Sequence, residues 1–373
     1  MSLRPGGVLL AALCACTKAS TAVPSAAPSG TVVAPTPVVT ATPGAAQGGP
    51  SLGAGPVQLT ARSIPLPGAS GPVTVDYLAS RGLHARVYVP VGDTGSLDVF
   101  DVATSTFRRI DGFKTAEREV RGKRRMMGPS AATVGDGFVY VGNRATSEVC
   151  AVEEETLKLG SCLKLSTPTD GVAYVASEKE VWVTTPRDHS LTVLDASKPD
   201  TLKPKLAIKT DGDTEGYAVD VARGLFYTNL EDSNRTLAVD IKTHSVKATW
   251  ASGCVPDGPR GVAVDGARDF VIVACTQSVN VFDGSHDGAP LGTLDTGAGV
   301  DNIEYLDAAK LLVVAAGKAA RLTVARLNDH GAPTVVGLGG TAEGARNAVA
   351  DGNGNIYLVD ARAARLLTFA GLP

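Results

Sequence analysis

One pattern recurs along most of this chain: a short apolar strand, a tight polar turn and a second apolar strand. Five copies align directly: GVAYVASEKEVWVTT (171–185), GYAVDVARGLFYTNL (216–230), GVAVDGARDFVIVAC (261–275), NIEYLDAAKLLVVAA (302–316) and NAVADGNGNIYLVDA (347–361). Their starts lie 45, 45, 41 and 45 residues apart. Another unit opens at SAATVGDGFVYVGN (130–143), and VTVDYLASRGLHARVYVPV (73–91) holds the first. Units of 40 to 50 residues made only of strands cannot bury their apolar faces singly, but a radial stack of them can. The spacing predicts an all-β chain, a seven-bladed β-propeller.

Each unit divides into four strands, A to D. In the fourth they are GYAVDVA (216–222), LFYTNL (225–230), TLAVDI (236–241) and VKATW (246–250). The seventh unit is short, because its third strand, RLLTF (365–369), has no successor before Pro373. A bare blade edge is a liability. The segment VQLTARSIPLP (57–67) has strand character and belongs to no unit. It is expected to complete the last blade, so that the propeller occupies 57–373.

The N-terminus has a different composition. Arg4 and the apolar run GGVLLAALCA (6–15) have the form of an export signal over residues 1–16. The stretch Leu13-Cys14-Ala15-Cys16 resembles a bacterial lipobox, which implies lipidation at Cys16. Residues 17–56 are almost wholly Ala, Pro, Thr, Ser, Val and Gly, with Lys18 the only charge. Such a segment cannot bury enough surface to fold. As a flexible coil it spans about 35 Å, a disordered linker between membrane and propeller. The expected localisation is the cell envelope, in the periplasm or at the outer membrane.

Removing the signal leaves Cys150, Cys162, Cys254 and Cys275, an even count that suits an oxidising compartment. Aligned on the fourth unit, Cys150 and Cys162 face each other across strands C and D. Cys254 enters the fifth unit and Cys275 ends its strand B, on the same rim. The pairs Cys150–Cys162 and Cys254–Cys275 are expected. Their spacing fits no zinc pattern.

The loops from D to A and from B to C share one face of a propeller, and the residue before each strand A lies at the channel mouth. Taken unit by unit these are Gly71, Pro129, Asp170, Glu215, Arg260, Asp301 and Arg346, with Asn302 and Asn347 beside the last two. Three acids and two arginines on one ring predict either a self-neutralising ring of salt bridges or a polar pocket for an anionic or sugar-like ligand or a cation. No cofactor is expected, calcium being the one cation that the carboxylates suit. Among the histidines only His189 falls in a loop of the mouth face; His84, His244, His286 and His330 fall in turns of the other.

The first unit is longer than the rest, and the excess is the connection FKTAEREVRGKRRMMGPS (113–130). It carries Lys114, Arg118, Arg121, Lys123, Arg124 and Arg125 against Glu117 and Glu119. A long basic loop in a tight repeat points to anionic partners or to a solvated insertion. Net charge is −3, which gives no reason to expect nucleic acid.

Gly-Val-Ala-Val-Asp (261–265), and Ala350-Asp351-Gly352 followed by Gly354-Asn355-Ile356-Tyr357, resemble the YVTN and NHL propeller families, YncE-like exported bacterial lipoproteins among them. That resemblance implies a blade and no chemistry. The expectation is a membrane-tethered, monomeric binding scaffold for a protein or an anionic envelope ligand. The competing one is a metal-dependent hydrolase or lyase, similar to the lactonase type in Thr214-Glu215-Gly216, working at the acidic mouth. No catalytic residue is singled out.

Overall fold

Turns rich in Asp, Gly and Thr cut the chain into short strands, and in the computed structural model these assemble as seven blades around one axis. The structure describes residues 55–80, 85–120 and 122–372. The expected signal with Cys16, all but the end of the expected linker, His84 and Arg121 lie outside the described residues.

Blades 2 to 6 are four-stranded antiparallel meanders. Blade 4 shows the plan: Thr214–Asp220, Leu225–Leu230, Arg235–Asp240 and Ser245–Ala251 run from the axis outward. Blade 7 is built from Ala348–Ala350, Ile356–Asp360 and Arg365–Phe369, and its fourth strand is Arg62–Pro65, antiparallel to Arg365–Phe369. The expected closure by 57–67 is therefore present. It also has a second component. Val57–Leu59 adds to the outer edge of blade 6, parallel to Pro333–Gly340, so one extended segment clasps two blades.

Blade 1 departs from the plan. Arg86–Val91, Ser96–Asp101 and Thr106–Ile110 form a three-stranded sheet. Among the described residues its inner position is filled by single bridges, Ala79 to Tyr88 and Tyr77 to Ala131 of blade 2.

Apolar packing follows the seams. Seven buried clusters occur, one between each pair of neighbouring blades. Trp182 of blade 3 against Phe226 of blade 4, with ring centroids 4.7 Å apart, is one such contact. The second and third strands of each blade are buried on both faces, which explains their runs of Val, Ile and Ala without strict alternation. Full burial of each large side chain is worth about 1.5–3 kcal/mol, so stability is spread around the ring.

The glycine that opens the Gly-Val-Ala-Val-Asp pattern has a steric cause. A Cβ on Gly216 would lie 2.3 Å from the Cα of Gly261, and one on Gly261 would lie 2.8 Å from the Cα of Asn302. Neighbouring inner strands meet backbone to backbone there, directly beside the mouth residues.

Both expected disulfides are present. Cys150 lies directly opposite Cys162 across strands C and D of blade 2, and Cys254 bonds Cys275 in blade 5.

Candidate functional site: the charged channel mouth

The inner strands begin at one end of the axis, and their first residues bring charges from five blades together. Arg144, from the B–C turn of blade 2, places Nη2 2.9 Å from Asp76 Oδ2 and also bonds Asp170 Oδ1. Arg346 pairs with Asp301 (3.2 Å) and reaches Asp76 (3.6 Å). Asn347 is buried and donates to both the carbonyl (2.6 Å) and the carboxylate (2.9 Å) of Asp76. Its side-chain oxygen accepts the backbone N–H of Asn302 at 3.2 Å. Asp76 is thus the hub.

Two residues of the ring stand outside this network. Arg260 turns aside to pair with Glu231. Glu215 forms no ion pair among the described residues, although the positive potentials of Arg144 and Arg346 reach it. Burial pushes its carboxyl well above the ordinary glutamate range, and Asp170, Asp301, Asp76 and Glu231 push the same way. Burial also raises Asp170 to about 6 against the pull of Arg144. Asp301 is raised for the same reason, opposed by Arg346. One oxygen of Asp170, Oδ2, is buried without a hydrogen-bond partner. Four carboxylates thus face two engaged arginines, and the ring keeps an excess of negative charge.

Tyr77 and Tyr217 meet ring to ring, 5.4 Å between centroids, next to these charges. The hydroxyl of Tyr217 donates to the carbonyl of Val172 at 2.6 Å. Both rings line a cavity of about 360 Å³ that continues along the inner strands past Val134, Val219 and Val264. The tyrosines divide a charged mouth from a mainly aliphatic channel.

At the level of the whole chain, no family model matches, and no curated protein does. Solved structures match over nearly the full propeller. A chain of the Mitotic Checkpoint Complex superposes with a TM-score of 0.70 at 11% identity, covering 91% of this chain and 99% of that one. Hydrazine synthase of Kuenenia stuttgartiensis gives 0.67 at 13% identity, covering 81% and 97%. U3-55K gives 0.66 at 9% identity, covering 83% and 98%. The chain has the seven-bladed β-propeller fold. Identities this low carry the fold and nothing of what those proteins do.

Sequence reasoning missed Asp76 and Arg144. Starting the first unit at Gly71 shifted its frame. Asp76-Tyr77 corresponds to Glu215-Gly216-Tyr217, so Asp76 takes the place given to Gly71, and Ser130 takes that of Pro129 in the register of blade 2. The signal available was the Tyr77–Tyr217 correspondence. Arg144 sits in a turn whose contacts only the closed ring defines.

The long basic connection is a β-hairpin. Ala116–Val120 pairs with Lys123–Met127 beside the mouth. Phe113 and Met127 are buried at its root. The side-chain amide of Asn143 donates to the carbonyl of Lys114 (2.9 Å), and Arg118 donates to that of Ala145 (3.1 Å), which tie it to the turn that carries Arg144. Arg118 stands directly opposite Arg125 across the two strands, and Glu119 opposite Arg124. Lys114, Arg118, Arg124 and Arg125 are exposed, and Arg124 meets Glu117 at 3.4 Å. Lys123 opens the second strand, opposite Val120.

His189 also has neighbours that sequence reasoning did not find. Its Nδ1 is 3.0 Å from Asp213 Oδ1, and Asp232 lies beside them.

Proposed function

We propose that this chain is an exported, lipid-anchored binding module, a propeller of the YVTN/NHL type that engages an anionic partner of the cell envelope on its mouth face. The observation that carries this reading is the basic hairpin inserted between blades 1 and 2. Like charges directly opposite each other in an antiparallel pair destabilise it. Arg118 facing Arg125 therefore works against the hairpin's own stability, and an anionic surface relieves that repulsion. Export is supported by the lipobox-like Leu13-Cys14-Ala15-Cys16 and by two disulfides, which fit an oxidising compartment.

Co-sedimentation of residues 57–373 with vesicles containing anionic phospholipid tests it. Binding at low salt that weakens as ionic strength rises is the expected result. Replacing Arg121, Lys123, Arg124 and Arg125 together by Gln should reduce it strongly, while thermal unfolding stays in place. Unchanged binding in that variant would remove the hairpin from the account.

A second reading, a metal-dependent hydrolase or lyase, draws on Glu215 alone, a half-buried carboxyl with a raised pKa and no ion pair among the described residues. A stoichiometric calcium or magnesium ion that is lost on Glu215→Gln would favour it. Thermal unfolding indifferent to both ions would count against it.

A further inference from the structure

We infer that His189, Asp213 and Asp232 form a divalent-cation site of the zinc or manganese class on the mouth face, where blades 3 and 4 adjoin. The three residues come from three loops: His189 from the B–C loop of blade 3, Asp213 from the connection into blade 4, and Asp232 from the B–C loop of blade 4. One donor atom from each lies within 4.8 Å of the other two. Metal–ligand bonds of about 2.1 Å put neighbouring donors about 3 Å apart. The His189 Nδ1 to Asp213 Oδ1 distance is 3.0 Å. An imidazole with two carboxylates suits zinc and manganese better than magnesium, which prefers oxygen ligands throughout.

The surroundings favour a cation over a self-contained cluster. Among the described residues neither Asp213 nor Asp232 is paired with a lysine or arginine. The nearby bases are engaged elsewhere: Lys209 donates to the carbonyl of Asp188 at 3.2 Å, and Arg235 pairs with Asp211 at 3.9 Å. Two carboxylates and one imidazole without another base leave net negative charge that a divalent ion would neutralise.

The backbone also holds the three donors in place. His189 sits in the left-handed region at φ 46°, its N–H donating to Pro186 O and its carbonyl accepting from Thr210 N, both at 2.9 Å. Asp232 Oδ1 accepts the N–H of Asp213 at 2.8 Å. That approach needs Gly212, because a Cβ there would lie 2.3 Å from the same oxygen. His189 and Asp213 remain about half exposed, so an ion reaches them from solvent. Three protein donors leave coordination positions open to water or to an anionic oxygen.

Calorimetric titration of tag-free 57–373 with zinc chloride, and electron paramagnetic resonance with manganese chloride, test the site. One ion per chain is expected. His189→Ala and, separately, Asp232→Asn should each weaken zinc binding by about tenfold or more, with unfolding temperatures unchanged in metal-free buffer. Asp329→Asn, in an exposed turn of the opposite face, should leave it intact. Absence of zinc or manganese binding, binding that survives His189→Ala, or binding abolished by Asp329→Asn would each overturn the inference. The hairpin is not involved, so failure here leaves the vesicle experiment unaffected, and the converse holds.

Discussion

The two ends of the channel both place arginine beside carboxylate, but over different reaches of chain. At the far end the shortest pairs are local, although Arg223 also reaches Asp269 of the next blade at 3.4 Å and Arg268 reaches Asp329 at 3.5 Å. Arg223 donates to Asp220, and Arg268 to Asp265, each at 2.7 Å and three residues apart within one A–B turn. Arg268 also covers the ring of Phe270 at 4.9 Å and donates to the hydroxyl of Tyr305. At the mouth, Arg144 reaches Asp76 and Asp170, which lie 68 and 26 residues away, and Arg346 joins Asp301 to Asp76. A local pair forms as its turn forms. The mouth network exists only once blades 1, 2, 3, 6 and 7 have met, so its energy is tied to closure of the ring. Regular turns serve the scaffold, and the irregular connections gather where the charges are left over.

The sharpest way to break this contrast is to remove one arginine from each end. Arg144→Met leaves Asp76 and Asp170 buried without their shared cation, and should cost about 3–5 kcal/mol in guanidinium unfolding. Arg223→Met removes a pair closed within one turn, whose Asp220 keeps the backbone N–H of residue 223 at 3.0 Å, and should cost less, about 1–1.5 kcal/mol. Equal losses would mean that long-range pairing at the mouth has no special weight. Next in size is the Cys254–Cys275 disulfide, which constrains a 21-residue separation next to the mouth. The double change Cys254→Ala, Cys275→Ala should cost about 3 kcal/mol, measured in the same way.

A smaller effect, of opposite sign, sharpens the comparison. Glu215 titrates higher in the folded chain than in the unfolded one, so ionising it disfavours folding. Glu215→Gln should raise the melting temperature at pH 7, and the gain should fade as pH falls below about 4.5, where the carboxyl becomes protonated in the unfolded state as well. The smallest is a slope in the unaltered protein. Asp170 has a folded pKa of about 6 against 3.8 when free, so between those values the folded chain holds a proton that the unfolded chain has lost. This group's contribution to stability therefore falls as pH rises from about 4 to about 6. A melting temperature that climbs over that window in Asp170→Asn relative to the unaltered protein would support it, and parallel curves would refute it.

Much of the architecture was legible because a propeller repeats its reasons. Gly216 and Gly261 occupy equivalent places since neighbouring inner strands approach to contact, and the Cys150–Cys162 pair follows from the same register that sets Leu237 opposite Thr249. The missing outer strand of blade 7 pointed to 57–67, although the added pairing of Val57–Leu59 with blade 6 left no trace in the pattern. The site was less legible. Asp76 was hidden by an inner segment too irregular to align, and Arg144 by its place in a turn. The partners of His189 belong to the next blade.

The period of this chain, its glycines and its cysteines by themselves determined a seven-bladed wheel, its closing strand and its disulfides, because those features answer to spacing along the chain and to contacts within a blade or between successive ones. Which charges pair, which one is left over, and which donors gather around His189 were decided only by the folded ring. Electrostatic contacts act through space within a few ångströms, and residues from separate blades come that close only when the circle is complete.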